Sequence, residues 1–284
     1  MKILFCTDGS KISFNSIKNL SKWINEAKVD IICAVDFSML SDEIVIENVN
    51  FSNTCANVAD NILDFAEKEI SKLGFTVENK IKECGSAIDS IIEQNNKEQY
   101  DLIVLGSHGK KGLQKWLGSV SQEIITNSNT SNYIAKKENS ANRMLIATDG
   151  TDCSINILKN LISSLKLEDK EIYICFVNDD PNLLFLEGVD SSWLIEIQKK
   201  QQIYASRAIK KLQEILEDNQ IKIKESIILT GIPAQKIIDY SKKKEIDLVL
   251  LGSRHKSKLD KFLSSSVSKR VSENLESDIW LQKC

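Results

Sequence analysis

The sequence predicts an α/β protein made of two tandem doubly wound parallel-sheet domains, each with five strands and about four helices. Three observations predict it: one unit repeats across the chain, short apolar runs alternate with stretches of helical period, and loops rich in glycine and polar residues follow the runs at matching places.

The repeat sets the organisation. "KILFCTDGSKISFNSIKNL" (2–20) returns as "RMLIATDGTDCSINILKNL" (143–161), so that Asp8 corresponds to Asp149. "ECGSAIDSII" (83–92) matches "LTGIPAQKII" (229–238), "YDLIVLGSHG" (100–109) matches "IDLVLLGSRH" (246–255), and "SVSQEI" (119–124) matches "SVSKRV" (266–271). A period this long means tandem domains and not a solenoid, and the domains are expected at 1–138 and 142–284. The polar stretch "KKENSANR" (136–143) has little apolar surface to bury and reads as the linker.

Within the first unit, β-rich runs fall at 2–7, 29–36, 75–82, 101–106 and 132–136. The stretches between them carry helical spacing: Ala56, Ala59, Leu63, Ala66, Ile70 and Leu73 recur at three and four. Runs such as "DLIVLG" and "DLVLLG" are apolar without alternation, which fits strands buried on both faces. Strands alternating with helices pair in parallel through right-handed crossovers, giving a Rossmann-like unit. Ligands in such sheets sit at the carboxyl ends of the strands, where successive connections leave to opposite faces. Both Thr-Asp-Gly and Gly-Ser-His-Gly fall at such ends.

Composition narrows the classes. With 284 residues, 42% of them hydrophobic, the chain can fill two real cores, so disorder is not expected. A net charge of −3 gives no general attraction to nucleic acid, which is therefore not an expected partner. No run approaches the ~18 apolar residues of a membrane span, and "MKILFCTDGS" is too short in its apolar part for a signal peptide, so a soluble cytoplasmic protein without membrane contact is expected. The seven cysteines are widely spaced, several in strand-like runs, and the expectation is seven free thiols, with Cys284 an ordinary terminal one that exposure would make oxidisable.

The loop "GSHGKKGLQKWLGSVS" (106–121) carries the chemistry. A strand running into Gly106, Ser107, His108 and Gly109, and then Gly118 and Ser119 at a helix start, lets backbone N–H groups close around phosphate oxygens. Ser119 is expected to cap the helix and offer its hydroxyl. Lys110, Lys111 and Lys115 add positive charge. Asp8 and Asp149 have a plainer reading as turn and cap residues. The two histidines, His108 and His255, lack a sequence-adjacent nucleophile or carboxylate and read as loop or ligand-bonding groups, with no catalytic role.

These motifs, in this order and twice over, resemble the universal stress protein family, and the resemblance covers essentially the whole chain. It implies a stress-response or regulatory module that holds ATP, or alternatively AMP or ADP, with Mg2+ accompanying the nucleotide. By the resemblance Asp8 reaches the adenosine portion, the backbone at Val35 in "AVDF" contacts adenine, and Gly106, His108, Gly109, Gly118, Ser119 and Val120 hold ribose and phosphates. Eight residues, 110–117, separate Gly109 from Gly118, one fewer than the family pattern. In the second half His255 replaces the second glycine and Ser265 the third, so that site is expected to be degenerate. The resemblance also implies pairing of the halves about a pseudo-twofold axis through their last strands, "SNYIAKK" and "DIWLQKC", a pseudo-dimer within one chain that leaves a further homodimer open.

An interaction protein with both sites degenerate is the alternative reading, with protein partners instead of a nucleotide. An enzyme is the weaker one, since phosphoryl chemistry wants metal-binding carboxylates or an attacking group where this loop offers Lys, Gln and Ser; slow ATP hydrolysis stays open.

Overall fold

The computed structural model describes residues 1–36, 51–108, 117–180, 191–253 and 267–284. The chain divides into two compact units, Met1–Asn139 and Ser140–Cys284. In the first, β1 (Lys2–Cys6) leads to α1 (Lys11–Leu20), β2 (Lys28–Val35) to α2 (Phe51–Lys72), β3 (Thr76–Cys84) to α3 (Ala87–Lys97) and β4 (Leu102–Gly106) to α4 (Ser119–Asn127), before β5 (Ser131–Ala135). The second repeats this with β6 (Arg143–Thr148), α5 (Asp152–Leu161), β7 (Glu171–Asn178), α6 (Ser191–Asp218), β8 (Ile223–Thr230), α7 (Pro233–Lys243), β9 (Leu248–Ser253), α8 (Val267–Asn274) and β10 (Asp278–Lys283).

The first unit's strands lie in the order β3-β2-β1-β4-β5, all parallel. Those of the second follow β10-β9-β6-β7-β8, again parallel throughout. Ile3, Leu4 and Phe5 of β1 and Leu102, Ile103 and Val104 of β4 have no solvent exposure, as strands covered on both faces require. The edge strand β3, "TVENKIKEC", is instead mostly exposed and charged, which discourages pairing with another chain. Helices α1 and α2 pack together on one face of the first sheet and α3 and α4 on the other. The second unit divides α5 with α6 from α7 with α8 in the same way.

One expectation is corrected here, that of seven free thiols. The 136–143 stretch holds the boundary between the units, as expected of the linker, and it is not loose. The Asn19 side chain donates to the Lys137 carbonyl at 2.8 Å, Lys18 pairs with Glu138 at 2.8 Å, and Lys22 donates to the Asn139 carbonyl at 2.7 Å. On the other side Asp247 accepts from the Ser140 hydroxyl and from the backbone N–H groups of Asn142 and Arg143, at 2.9, 2.8 and 3.0 Å. Polar residues that looked unanchored are held by partners far away in sequence.

The seven cysteines are not all free. Cys55 is joined to Cys84, with Cα atoms 6.2 Å apart, and Cys153 to Cys284, with Cα atoms 5.6 Å apart, both within the ordinary disulfide range. Cys6, Cys33 and Cys175 are free and buried. Burial pushes the Cys6 thiol far up and that of Cys175 to about 12, so neither forms a thiolate near neutrality.

Candidate functional site

In the first unit the connection after β1 runs to one face of the sheet and that after β4 to the other, so the crevice between these neighbouring strands is the topological switch point. Two loops meet its carboxyl end. Loop one is Thr7-Asp8-Gly9-Ser10. Gly9 takes φ +74°, a left-handed conformation that most other residues adopt only with strain. Asp8 accepts the Ser10 N–H at 3.0 Å, closing a turn. Ser10, not Asp8, is the helix cap: its hydroxyl oxygen accepts the Ser13 N–H at 3.3 Å. The Thr7 hydroxyl shares a 2.8 Å hydrogen bond with that of Ser13 and accepts the Gly9 N–H at 3.1 Å.

The same construction recurs in the second unit, where Thr148 and Ser154 share a 2.8 Å bond, Thr151 caps α5, and Gly150 takes φ +76°. Sequence reasoning missed this hydroxyl pair. Its signal was present: a threonine before Asp-Gly and a serine six positions on, in both repeats.

Loop two follows β4. A Cβ on Gly106 would lie 2.9 Å from the Ser13 backbone nitrogen and 3.0 Å from the Ile12 carbonyl carbon, so glycine is what lets α1 sit against the strand end. Ser107 is buried, donates its N–H to the Ala135 carbonyl at 2.8 Å and accepts the Gly118 N–H at 2.6 Å. Its hydroxyl is 2.9 Å from His108 Nδ1. Gly118 folds back onto this stem, where a Cβ would meet the Ser107 carbonyl oxygen at 3.2 Å and His108 Cα at 3.3 Å.

The cap of α4 is corrected. Gly118 occupies the N-cap without any side-chain hydrogen bond, and Ser119, exposed, is the first residue of the helix. Ser121, two residues on and on the opposite face of the helix, is buried and donates its hydroxyl to the Gly106 carbonyl at 2.7 Å. The first-turn N–H groups of Ser119 and Val120 therefore open from a helix start that no side chain caps, on top of the switch point.

Val35 ends β2, half-buried, with its carbonyl accepting the Gly85 N–H at 3.1 Å. The sulfur of Cys55 lies 3.9 Å from the Val35 carbonyl oxygen. Of the expected site residues, the structure thus brings Asp8, Gly106, His108, Gly118, Ser119 and Val120 to the loops after β1 and β4, with Val35 at the end of the adjacent strand β2. Gly109 lies outside the described residues, as do Lys110, Lys111, Lys115, His255 and Ser265.

The second unit's turn is more closed. Asp149 accepts from both the N–H and the hydroxyl of Thr151, at 3.0 and 2.6 Å. A Cβ on Gly150 would lie 2.8 Å from the Tyr204 ring and 2.9 Å from Ala208, because α6 presses on the turn. Gly252 is kept against α5, where the nearest atom to a Cβ is a side-chain methyl, Ile157 Cδ1, at 3.0 Å.

The fold defines a tandem of Rossmann-like α/β domains, each with a switch point at the carboxyl end of its sheet. The universal stress protein family model matches residues 1–136 and again 141–283, and the chain belongs to that family. Universal stress protein MJ0531 of Methanocaldococcus jannaschii is 31% identical over 150 residues, 53% of this chain and 86% of the relative. Universal stress protein Slr1230 of Synechocystis is 23% identical over 241 residues, 81% of this chain and 75% of the relative. The crystal structure of a universal stress protein from Archaeoglobus fulgidus covers 99% of this chain and 96% of its own with a TM-score of 0.67; at 19% identity that likeness concerns the fold. Among the described residues no helix is long and apolar enough to cross a membrane.

Proposed function

We propose that this chain is a cytoplasmic, regulatory nucleotide-binding module whose first domain holds ATP at the switch point between β1 and β4, while the second site is degenerate. The observation that carries the reading is the uncapped start of α4. Its first-turn N–H groups stand at the end of β4, where Gly106 lets α1 pack against the strand and Gly118 lets the loop fold back onto its stem. An anion there meets backbone donors and the positive end of a helix dipole, and a Cβ at Gly118 would press on the stem at Ser107 and His108 that positions them.

The residues fit the group. In this reading Ser119 and Val120 hold phosphate oxygens, with the Ser119 hydroxyl adding a donor. Gly109 completes the loop, His108 bonds ribose or phosphate, Asp8 takes the ribose hydroxyls and the Val35 backbone faces the base. The Val35 carbonyl already accepts Gly85, which leaves its second lone pair for a base amino group. Mg2+ would be carried on the phosphates. The proposed domains run 1–138 and 142–284.

Mass spectrometry of small molecules released from the purified protein by denaturation tests it. A stoichiometric adenine nucleotide is expected. Protein that folds normally, carries no nucleotide and takes none up would leave the interaction-protein reading in its place.

A further inference from the structure

The cysteine pair of the second unit stands where α5 begins and β10 ends. Thr151 caps α5, so Cys153 is the second residue of the helix, among first-turn N–H groups that favour negative charge on a nearby sulfur. Cys284 follows β10, and its N–H donates to the Ser253 carbonyl at 3.3 Å. Between them lies the end of β9, where Gly252 packs against Ile157 and Ser154 of α5. The 153–284 link therefore spans from the helix head to the last strand across the point at which the chain leaves β9.

Two features mark this pair. Cys284 is exposed and Cys153 half-buried, so both residues reach water, whereas Cys6, Cys33 and Cys175 are buried and the 55–84 pair joins an exposed Cys84 to a Cys55 that is only 1% exposed. And the helix that carries Cys153 does not depend on the link, since Ile155, Leu158 and Leu161 already bury it against the sheet. A half-buried sulfur at a helix head, beside an exposed second cysteine within bonding reach, has the attributes of a reversible oxidation site.

We propose that Cys153 and Cys284 form a peroxide-responsive dithiol, the working site of the second domain. The Cys153 thiolate attacks one oxygen of hydrogen peroxide, breaking the O–O bond; with one proton taken up, water leaves and Cys153 becomes a sulfenic acid. The Cys284 sulfur then attacks that sulfur, the S–O bond breaks, a second water leaves, and the disulfide is formed. Two thiols are oxidised and one peroxide is reduced to two waters. A dithiol reductant returns the pair to thiols through a mixed disulfide.

The link closes a sequence separation of 131 residues, nearly the whole second unit, so forming it should raise the melting temperature of that unit by on the order of 10 °C.

The test uses the full chain, reduced with dithiothreitol, freed of reductant, treated with hydrogen peroxide and quenched with N-ethylmaleimide before peptide mass spectrometry. The expected product is a 153–284 cross-linked peptide that dithiothreitol abolishes, with the melting rise lost in both Cys153→Ser and Cys284→Ser. Cys284→Ser should yield a dimedone adduct at Cys153, and Cys153→Ser should slow peroxide consumption of the Cys284 thiol at least about tenfold. Thiols at 153 and 284 that stay alkylatable after peroxide, or an unchanged Cys284 rate in Cys153→Ser with normal circular dichroism, would overturn the proposal. None of these readouts involves nucleotide, so the result is independent of the first domain's proposed function.

Discussion

The hydroxyl of Ser121 donates to the carbonyl of Gly106 at 2.7 Å, fastening the first turn of α4 to the end of β4. This bond holds the uncapped helix start over the switch point. Ser121→Ala leaves that carbonyl without its hydroxyl donor and should lower stability by about 1 kcal/mol, read as a shift in urea midpoint at constant m-value. It should also weaken nucleotide binding severalfold, since the first-turn N–H groups lose their fixed position.

The two strand-end glycines should respond unequally. Gly106→Ala places a methyl 2.9 Å from backbone, which cannot swing away, and should cost about 1–3 kcal/mol. Gly252→Ala meets the tip of Ile157, which can rotate, so the loss there should be below about 1 kcal/mol. Denaturant unfolding of both variants gives the comparison, and a larger loss at 252 would show the close approach at 106 to be unimportant.

Removing a cap should act on each unit separately. Ser10→Ala and Thr151→Ala each strip the acceptor for the N–H three residues on, at Ser13 and Ser154. Each should cost about 1 kcal/mol, with the two adding in the double variant because the sites share no partner.

Much of the fold was readable because its signals are local. Thr-Asp-Gly before a helix, repeated with its flanking apolar runs, marked the same turn twice, and the continuous run "DLIVLG" marked a strand buried on both faces. What escaped was set by partners distant in sequence. Nothing near Cys153 points to Cys284, 131 positions on, and nothing near Ser140 points to Asp247. The cap of α4 was misplaced by one residue because Gly118 and Ser119 both suit an N-cap. The side chain that matters there is Ser121, whose inward direction follows from the helix phase, and a one-residue shift of the start changes which serine faces the strand.

Alkaline pH should expose a buried phenol at the opposite end of the first sheet. Tyr100 donates to Asp30 at 2.7 Å, and burial, with the neighbouring Asp30 carboxylate adding to it, raises its ionisation well above the ordinary 10.0. A folded-state value above the unfolded one means the stabilisation is complete below about pH 10 and is lost as pH climbs toward the folded value. The parent's stability should therefore fall more steeply above pH 10 than that of Tyr100→Phe. Tyr100→Phe should start lower at neutral pH, because a buried Asp30 oxygen loses a donor. Urea unfolding from pH 8 to pH 11 measures both slopes.

The most direct test of the nucleotide site is isothermal titration of ATP with magnesium into the parent, Ser119→Ala and Ser265→Ala. A single site per chain is expected, with Ser119→Ala weakening it by about 1–2 kcal/mol, roughly five- to thirtyfold, and Ser265→Ala leaving it unchanged. Equal losses from the two variants, or no heat from a parent that folds normally and carries no nucleotide, would contradict the assignment of binding to the first domain.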